Sequence, residues 1–249
     1  MEDIFIHELM AYPGLKIYQK TDSFRFSLDA LLLGDFVEFN SRDKKLLELG
    51  SGNGAILLYL SLKTKIELNG IDIQEEAVNL AKKSVKLNGL DKQINVKQLD
   101  IKEAYKYFSP SSFDLIVSNP PFFKVSDLKL INKKENLSLA RHEISLSFKD
   151  LLEASKKLLK TGGSFFFIHR ANRLDEIIVE LKKENFVIKK IRFVYTKIDK
   201  DALMVLIEAR YNGKIGSLKV VPPLYIYDEF GNYTKEVLKI FHLGDDNFE

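Results

Sequence analysis

Between residues 45 and 211, short apolar runs alternate with longer segments whose apolar residues return every three or four positions. The runs at 45–50 (KLLELG), 66–73 (IELNGIDI), 94–99, 113–117, 164–169 (SFFFIH), 187–195 and 203–211 read as strands. The segments at 55–62, 74–88, 147–159 and 173–184 read as helices. In the second of these, Ala77, Leu80, Ala81, Val85 and Leu87 line one face. Thr161-Gly162-Gly163 reads as the stop signal of the third helix. Regular strand–helix alternation predicts an α/β fold, a mostly parallel sheet with helices on both faces. The last two runs are separated by only 196–202, too short for a crossover helix, and so predict an antiparallel hairpin. The expected sheet therefore has seven strands and ends in that hairpin.

Upstream, 27–33 (SLDALLL) predicts an amphipathic helix capped by Ser27 or Asp29. Neither flank carries a Gly/Ser-rich or Pro-rich linker. Residues 1–40 are thus expected to pack as an N-terminal extension and 212–249 as a C-terminal tail. With a core at 41–211, the whole of 1–249 is expected to form a single domain.

Composition narrows the chemistry. Cysteine is absent, which removes disulfides, thiolate zinc sites and thiol nucleophiles together. The histidines (His7, His142, His169, His242) are scattered, so no metal site is expected. His169, at a strand end, is expected to be packed or hydrogen-bonded. No apolar run approaches the roughly 20 residues that span a bilayer, and the acidic start Met1-Glu2-Asp3 does not read as a signal peptide. The protein is expected in the cytoplasm, without a membrane partner. A net charge of +3, from 38 basic and 35 acidic residues, neither requires nor excludes a nucleic-acid partner, since binding needs only a local patch.

Two motifs fall at carboxyl ends of predicted strands, where open α/β sheets bind ligands. The first is Glu48-Leu49-Gly50-Ser51-Gly52-Asn53-Gly54, a loop between the first strand and first helix. Glycine at alternate positions lets the backbone turn tightly and lie against a ligand. Asp72 ends the second strand, 22 residues past Gly50, where a carboxylate accepts hydrogen bonds from ribose hydroxyls. Asp100 ends the third. Glu48 would repel a pyrophosphate, which disfavours a nicotinamide dinucleotide, and no GxxxxGK[ST] is present. An adenosine ligand carrying positive charge fits better, and S-adenosyl-L-methionine is one.

The second motif is Asn119-Pro120-Pro121-Phe122, closing the fourth strand. An exocyclic amine is a poor nucleophile because its lone pair is delocalised. Acceptors aimed at its two N–H bonds hold the nitrogen in line and push it toward tetrahedral geometry. The Asn119 amide oxygen supplies one acceptor and the Pro120 carbonyl the other. Pro121 restricts Pro120 to extended backbone, so that carbonyl is fixed in advance. Phe122 offers a face on which a planar base stacks, worth roughly 1–3 kcal/mol. Positioning and electrostatics carry the rate, and no strong base is needed.

The glycine loop, Asp72, Asp100 and the late hairpin resemble the Rossmann-like fold of class I methyltransferases. That resemblance implies that Gly50, Gly52 and Gly54 line the amino-acid end of S-adenosyl-L-methionine. Asp72 would hold the ribose hydroxyls and Asp100 contact the adenine, with Ile73 and Ile101 also at the cofactor. More of the chain matches one family. FRFSLDALLLGDFV, LLELGSGNGAI, IDIQEEAVNLAKKSVKLNGL, FDLIVSNPPFFK, ARHE, GGSFFFIHRANRLDEI and PLYIYDEFGNYTKEV resemble the bacterial tRNA adenine-N6-methyltransferases that modify adenosine 37 of a valine tRNA. The resemblance implies a tRNA substrate, Asn119–Phe122 as the base-binding motif, and Phe26, Asp29 and Asn119 itself near the cofactor. Glu48 stands where Asp is frequent, which keeps the charge.

Substrate contacts are also expected from Phe122, Phe123, Lys124, Arg141 and His142, within a basic stretch that could act as a lid. A basic rim is expected from Lys182, Lys183, Lys189, Lys190, Arg192 and Lys197. Tyr18-Gln19-Lys20 is expected to cover the cofactor. Two rivals share the motif: guanine-N2 rRNA methyltransferases, which commonly carry a duplicated second domain, and release-factor glutamine methyltransferases, which usually have Tyr at the position of Phe122. An RNA-binding module that keeps only the fold is a third reading, opposed by the intact loop, Asp72 and Asn119.

Overall fold

Strands whose successive side chains point to opposite faces, but which are apolar throughout, need a core on each side. The computed structural model describes residues 4–9, 14–20, 27–120 and 146–241 and shows those two cores. The chain opens with an antiparallel hairpin, β1 (Ile4–Glu8) and β2 (Lys16–Lys20), then α1 (Leu28–Phe36). Next come β3 (Lys45–Leu49), α2 (Ala55–Lys63), β4 (Glu67–Asp72), α3 (Glu75–Leu87), β5 (Ile94–Gln98), α4 (Ala104–Tyr107) and β6 (Phe113–Ser118). The second half holds α5 (Phe148–Leu158), β7 (Leu159–Arg170), α6 (Leu174–Lys183), β8 (Phe186–Tyr195) and β9 (Ala202–Tyr211). Two short strands, β10 (Lys219–Val220) and β11 (Leu224–Tyr225), and α7 (Lys235–Phe241) complete the described chain.

The main sheet runs β10-β8-β9-β7-β6-β3-β4-β5, with β11 also on β8. Strands β5, β4, β3, β6 and β7 are mutually parallel, and β9 pairs antiparallel with both β7 and β8. The seven expected strands are therefore present in the expected directions. The tail adds β10 and β11, both parallel to β8. After β5 the chain returns to the other side of β3, which makes β3/β6 the switch point where a crevice opens at the carboxyl ends. Alternate residues divide between the cores. Leu46, Leu115, Phe166 and Ile168 pack with α1, α2, α3 and α7, whereas Leu47, Ile116, Phe165 and Phe167 pack with α5 and α6.

Three local expectations are corrected. Helix α1 is not amphipathic: Ala30, Leu31, Leu32, Leu33, Gly34 and Phe36 are all buried, because β7, α2 and the distant α7 surround it. At Gly34 a Cβ would lie 2.7 Å from the Tyr59 ring, so this close approach to α2 needs glycine. Ser27 occupies the N-cap position, but neither it nor Asp29 makes a side-chain capping bond. At the other end Lys63 donates to the carbonyls of Gly34 (3.0 Å), Asp35 (2.5 Å) and Val37 (2.8 Å), satisfying the helix terminus. Finally, Thr161-Gly162-Gly163 does not stop a helix. α5 already ends at Leu158, and 160–163 bulge out of β7, where pairing jumps from Phe113↔Leu159 to Leu115↔Ser164.

Candidate active site

The glycine loop leaves β3 at Leu49 and is fastened to β4 at once. The N–H groups of Gly50 and Ser51 both donate to the Ile71 carbonyl at 2.9 Å. Gly50, Gly52 and Gly54 have φ of 75°, 50° and 84°, the left-handed region that costs other residues strain. A Cβ at Gly50 or Gly52 would meet nothing within 4 Å, so these two glycines border open space. At Gly54 it would come within 3.2 Å of Ala81 on α3. Two glycines thus serve the crevice and the third serves packing.

Two acids lie behind the loop. Asp72 is buried and accepts from Gly52 N–H (2.8 Å, Oδ2) and Gln74 N–H (2.9 Å, Oδ1). It therefore fixes the loop and keeps acceptor capacity for a ligand. Burial lifts its carboxyl above the ordinary range, against the pull of the Gln74, Gly52 and Ile73 N–H groups. Glu48 is 2% exposed. Burial, and then the neighbouring Asp72, holds it well above the usual carboxylate range, opposed by the Leu57 N–H. Its Oε2 is buried with no hydrogen-bond partner among the described residues. An orphaned acceptor beside a second carboxyl is relieved by a cation or donor and worsened by an anion. Next to Asp72, Ile73 is 41% exposed and gives a planar ring an apolar surface. Asp100 caps the 3₁₀ turn Ile101–Glu103 through Lys102 N–H (2.9 Å), while Ile101 is buried beneath this edge. Orphaned oxygen, open cradle and exposed apolar step together fit S-adenosyl-L-methionine.

Asn119 follows β6 and is half-buried; Pro120 is buried. The pairing Glu48↔Val117 brings the end of β6 alongside the start of the glycine loop, one strand spacing of about 4.8 Å away. Sequence reasoning missed the tie between them: the buried Ser118 hydroxyl donates to the Leu49 carbonyl at 2.8 Å. Asp29 on α1 sits opposite Arg170 at the end of β7. Burial raises its carboxyl and Arg170 opposes that rise. β2 reaches α3, with Tyr18 N–H on Ser84 Oγ (2.9 Å) and Lys20 on Glu76 (2.7 Å), and Asn53 Nδ2 is 3.5 Å from the Tyr18 carbonyl. The expected cover is thus attached beside the glycine loop. Phe26, Pro121, Phe122, Phe123, Lys124, Arg141 and His142 lie outside the described residues.

His169 is the structural residue expected. It is buried, its Nδ1 accepts from Arg170 N–H at 2.9 Å, and its ring meets Phe148 edge-on. Burial lowers its pKa to about 4. Of the expected basic rim, the three cations on β8 are held by neighbours, while Lys182 and Lys183 at the end of α6 are exposed. Lys190 pairs with Glu38 (2.6 Å), Arg192 with Glu236 and the Pro222 carbonyl, and Lys189 with the carbonyls of Lys214 and Gly216. Lys189 and Arg192 fasten the tail to β8, and Lys190 holds the segment after α1. A cleft of about 550 Å³ lies at the opposite edge of the sheet, lined by 40–43, Asp114, 160–164 and Arg210. Two of its three cations, Lys160 and Arg210, pair with Asp114 and Glu208, and it is remote from the glycine loop. Among the described residues no helix is long and apolar enough to cross a membrane.

A family model of the methyltransferase domain matches residues 40–211. The tRNA1(Val) (adenine(37)-N6)-methyltransferase of Dyadobacter fermentans is 26% identical over 237 residues, covering 93% of this chain and 96% of that protein. The protein of the same name from Parabacteroides distasonis is 31% identical over 174 residues, covering 70% of this chain and 71% of its own length. Among solved structures, a predicted O-methyltransferase from Agrobacterium tumefaciens is similar with a TM-score of 0.67 at 21% identity, covering 86% of this chain and 95% of that one. Geranyl diphosphate C-methyltransferase from Streptomyces coelicolor, in complex with S-adenosyl-L-homocysteine, gives 0.53 at 12% identity, covering 73% and 78%. At such identities the structures speak for the fold.

Proposed function

Since the chain belongs to the methyltransferase-domain family, and within it to the tRNA1(Val) (adenine(37)-N6)-methyltransferases, we infer that it methylates the exocyclic N6 amine of adenosine 37 in a valine tRNA. The observation that carries this reading is the junction of β3 and β6. The glycine loop with its orphaned Glu48 oxygen and the Asn119-Pro120 turn lie side by side, tied through Ser118 and Leu49. When bound, S-adenosyl-L-methionine supplies a methyl group activated by a sulfonium. Everything else is done by the chain. Glu48 and Asp72 place carboxyl oxygens near the cationic cofactor, and Asp72 also accepts from its ribose hydroxyls. Ile73 supports the adenine and Asp100 accepts from it.

On the substrate side, the Asn119 amide oxygen and the Pro120 carbonyl accept the two N–H bonds of the amine and hold its nitrogen in line for attack. Pro121 fixes Pro120, and Phe122 stacks on the base. The proton lost from nitrogen passes to solvent, so no base of unusual strength is required. The reaction belongs to the cytoplasm, where tRNA is. The test combines purified protein, labelled cofactor and unmodified total tRNA, followed by nucleoside mass spectrometry. N6-methyladenosine in one tRNA is expected. N2-methylguanosine, or label only in rRNA or a release factor, would keep the amine clamp and overturn the substrate.

A further inference from the structure

The tail 224–234 (LYIYDEFGNYT) matches the family, yet the chemistry above uses none of it. Most of it has a structural duty. The Ile226 and Tyr227 N–H groups donate to the Tyr195 and Thr196 carbonyls, extending β11 along the end of β8 (2.8 and 2.9 Å). The Tyr227 and Tyr233 rings stack at 5.2 Å. Thr234 Oγ1 donates to the Tyr225 carbonyl at 2.7 Å and accepts from Val237 N–H, which caps α7. Asp228 accepts at Oδ1 from the N–H groups of Phe230 and Asn232, both at 2.9 Å. Asp228 N–H in turn donates to the Asn232 carbonyl at 2.9 Å. Among the described residues the Phe230 side chain has no such duty. It crowns this braced turn with 82% of its surface exposed. On the adjoining β8–β9 turn, Ile198 is 79% exposed.

Lone exposed apolar residues need no explanation, but two large ones on adjoining turns of the working edge do. β8 and β11 run parallel to β6 and β7, so both turns project beyond the edge that carries Asn119. From β6 to β11 there are four strand spacings, about 19 Å. Phe230 lies three residues past Tyr227, in the tight turn that the Tyr227–Tyr233 bridge closes beyond that edge. The charges nearby are of both signs, Lys197, Lys200 and Lys235 against Asp199, Asp201, Asp228 and Glu229. Such a wall offers no phosphate patch. It offers a rigid aromatic face at a distance that a base several nucleotides from the target can reach.

We propose that Phe230 is a stacking platform for a second, unpaired base of the RNA whose adenosine is methylated, with Ile198 covering that base's edge. This rests on the reading above and adds a recognition point outside the amine clamp. Stacking is indifferent to charge and to base identity. Phe230→Ala should therefore weaken tRNA binding about tenfold, equally at every salt concentration, while the slope of log K against log salt stays that of wild type. Phe230→Trp should restore binding and Phe230→Leu should not. Cofactor affinity and the rate at saturating tRNA should not move in any of the three.

The measurement is fluorescence anisotropy with unmodified tRNA across a salt series, beside methylation assays. Wild-type protein that places no methyl on a tRNA adenine would overturn the catalytic reading and this one with it. An active wild type whose Phe230→Ala variant binds tRNA as tightly overturns this inference alone. Rescue by leucine as full as by tryptophan would also overturn it, because apolar cover would then suffice without a ring.

Discussion

Along the carboxyl edge, β4 and β5 present carboxylates already held by the backbone, whereas β6, β7, β8 and β11 present groups that reach outward. On the first side, Asp72 grips the N–H groups of Gly52 and Gln74, and Asp100 grips Lys102 N–H. On the second, Asn119 closes its strand half-buried, Arg170 is exposed and Phe230 stands almost clear of the protein. The difference follows from the ligands. A cofactor of fixed shape can be met by a site wired in advance, at little cost in ordering on binding. A base that arrives on a large polymer needs contacts spread over a wide surface. Damage to the first side should therefore appear as cofactor affinity, and damage to the second as turnover or RNA affinity.

The sharpest way to break that division is Asn119→Ala. If the amide oxygen holds the reacting amine, its loss should lower kcat by roughly 10²–10³-fold, the scale of removing one transition-state hydrogen bond. Cofactor affinity by calorimetry should persist. Turnover at the wild-type rate would remove Asn119 from the clamp, and lost cofactor binding would erase the division itself. Asp72→Ala should give the reverse pattern. It removes the ribose acceptor and releases the Gly52 N–H, so the cofactor Kd should rise about thirtyfold, the sum of two hydrogen bonds of roughly 1 kcal/mol each. At saturating cofactor, kcat should stay within a few-fold of wild type. Unchanged affinity would move the ribose contact elsewhere.

How much of this was legible beforehand depended on sequence distance. Gly50, Gly52, Gly54, Asp72 and Asn119 could be read from the sequence because each motif is local and sits at the end of an apolar run of strand length. The sheet directions followed from connection lengths, as at 196–202. Helix α1 was misread because 27–33 shows nothing of what covers its outer side. Tyr59 Oη donates to the Ile240 carbonyl at 3.0 Å, and that contact brings α7 from the far end of the chain to cover the helix. The cations of β8 were misread for the same reason, since Glu38 and Glu236, which neutralise them, are far away in sequence. Thr161-Gly162-Gly163 was locally ambiguous, because a glycine pair suits a helix stop and a bulge equally. Nothing local marked Phe230, whose importance lies in what it does not touch.

The mildest test addresses the seam between the two sides. Ser118 ends β6 immediately before Asn119, and its hydroxyl donates to the carbonyl of Leu49 immediately before Gly50. It is the described hydrogen bond that joins the amine clamp directly to the cofactor loop. Ser118→Ala leaves a buried carbonyl short of one donor, which should cost about 1 kcal/mol in denaturant unfolding. A stability loss alone would mean that the sides are held independently by the sheet. If the bond sets the distance between donor and acceptor, kcat should also fall, by about tenfold, with the cofactor Kd and the RNA Kd both unchanged, because misplacement by a fraction of an ångström penalises the reacting geometry and neither binding step. We expect the second outcome. Both ligands can dock on their own halves without the bond, but only a fixed seam brings nitrogen and methyl carbon into line.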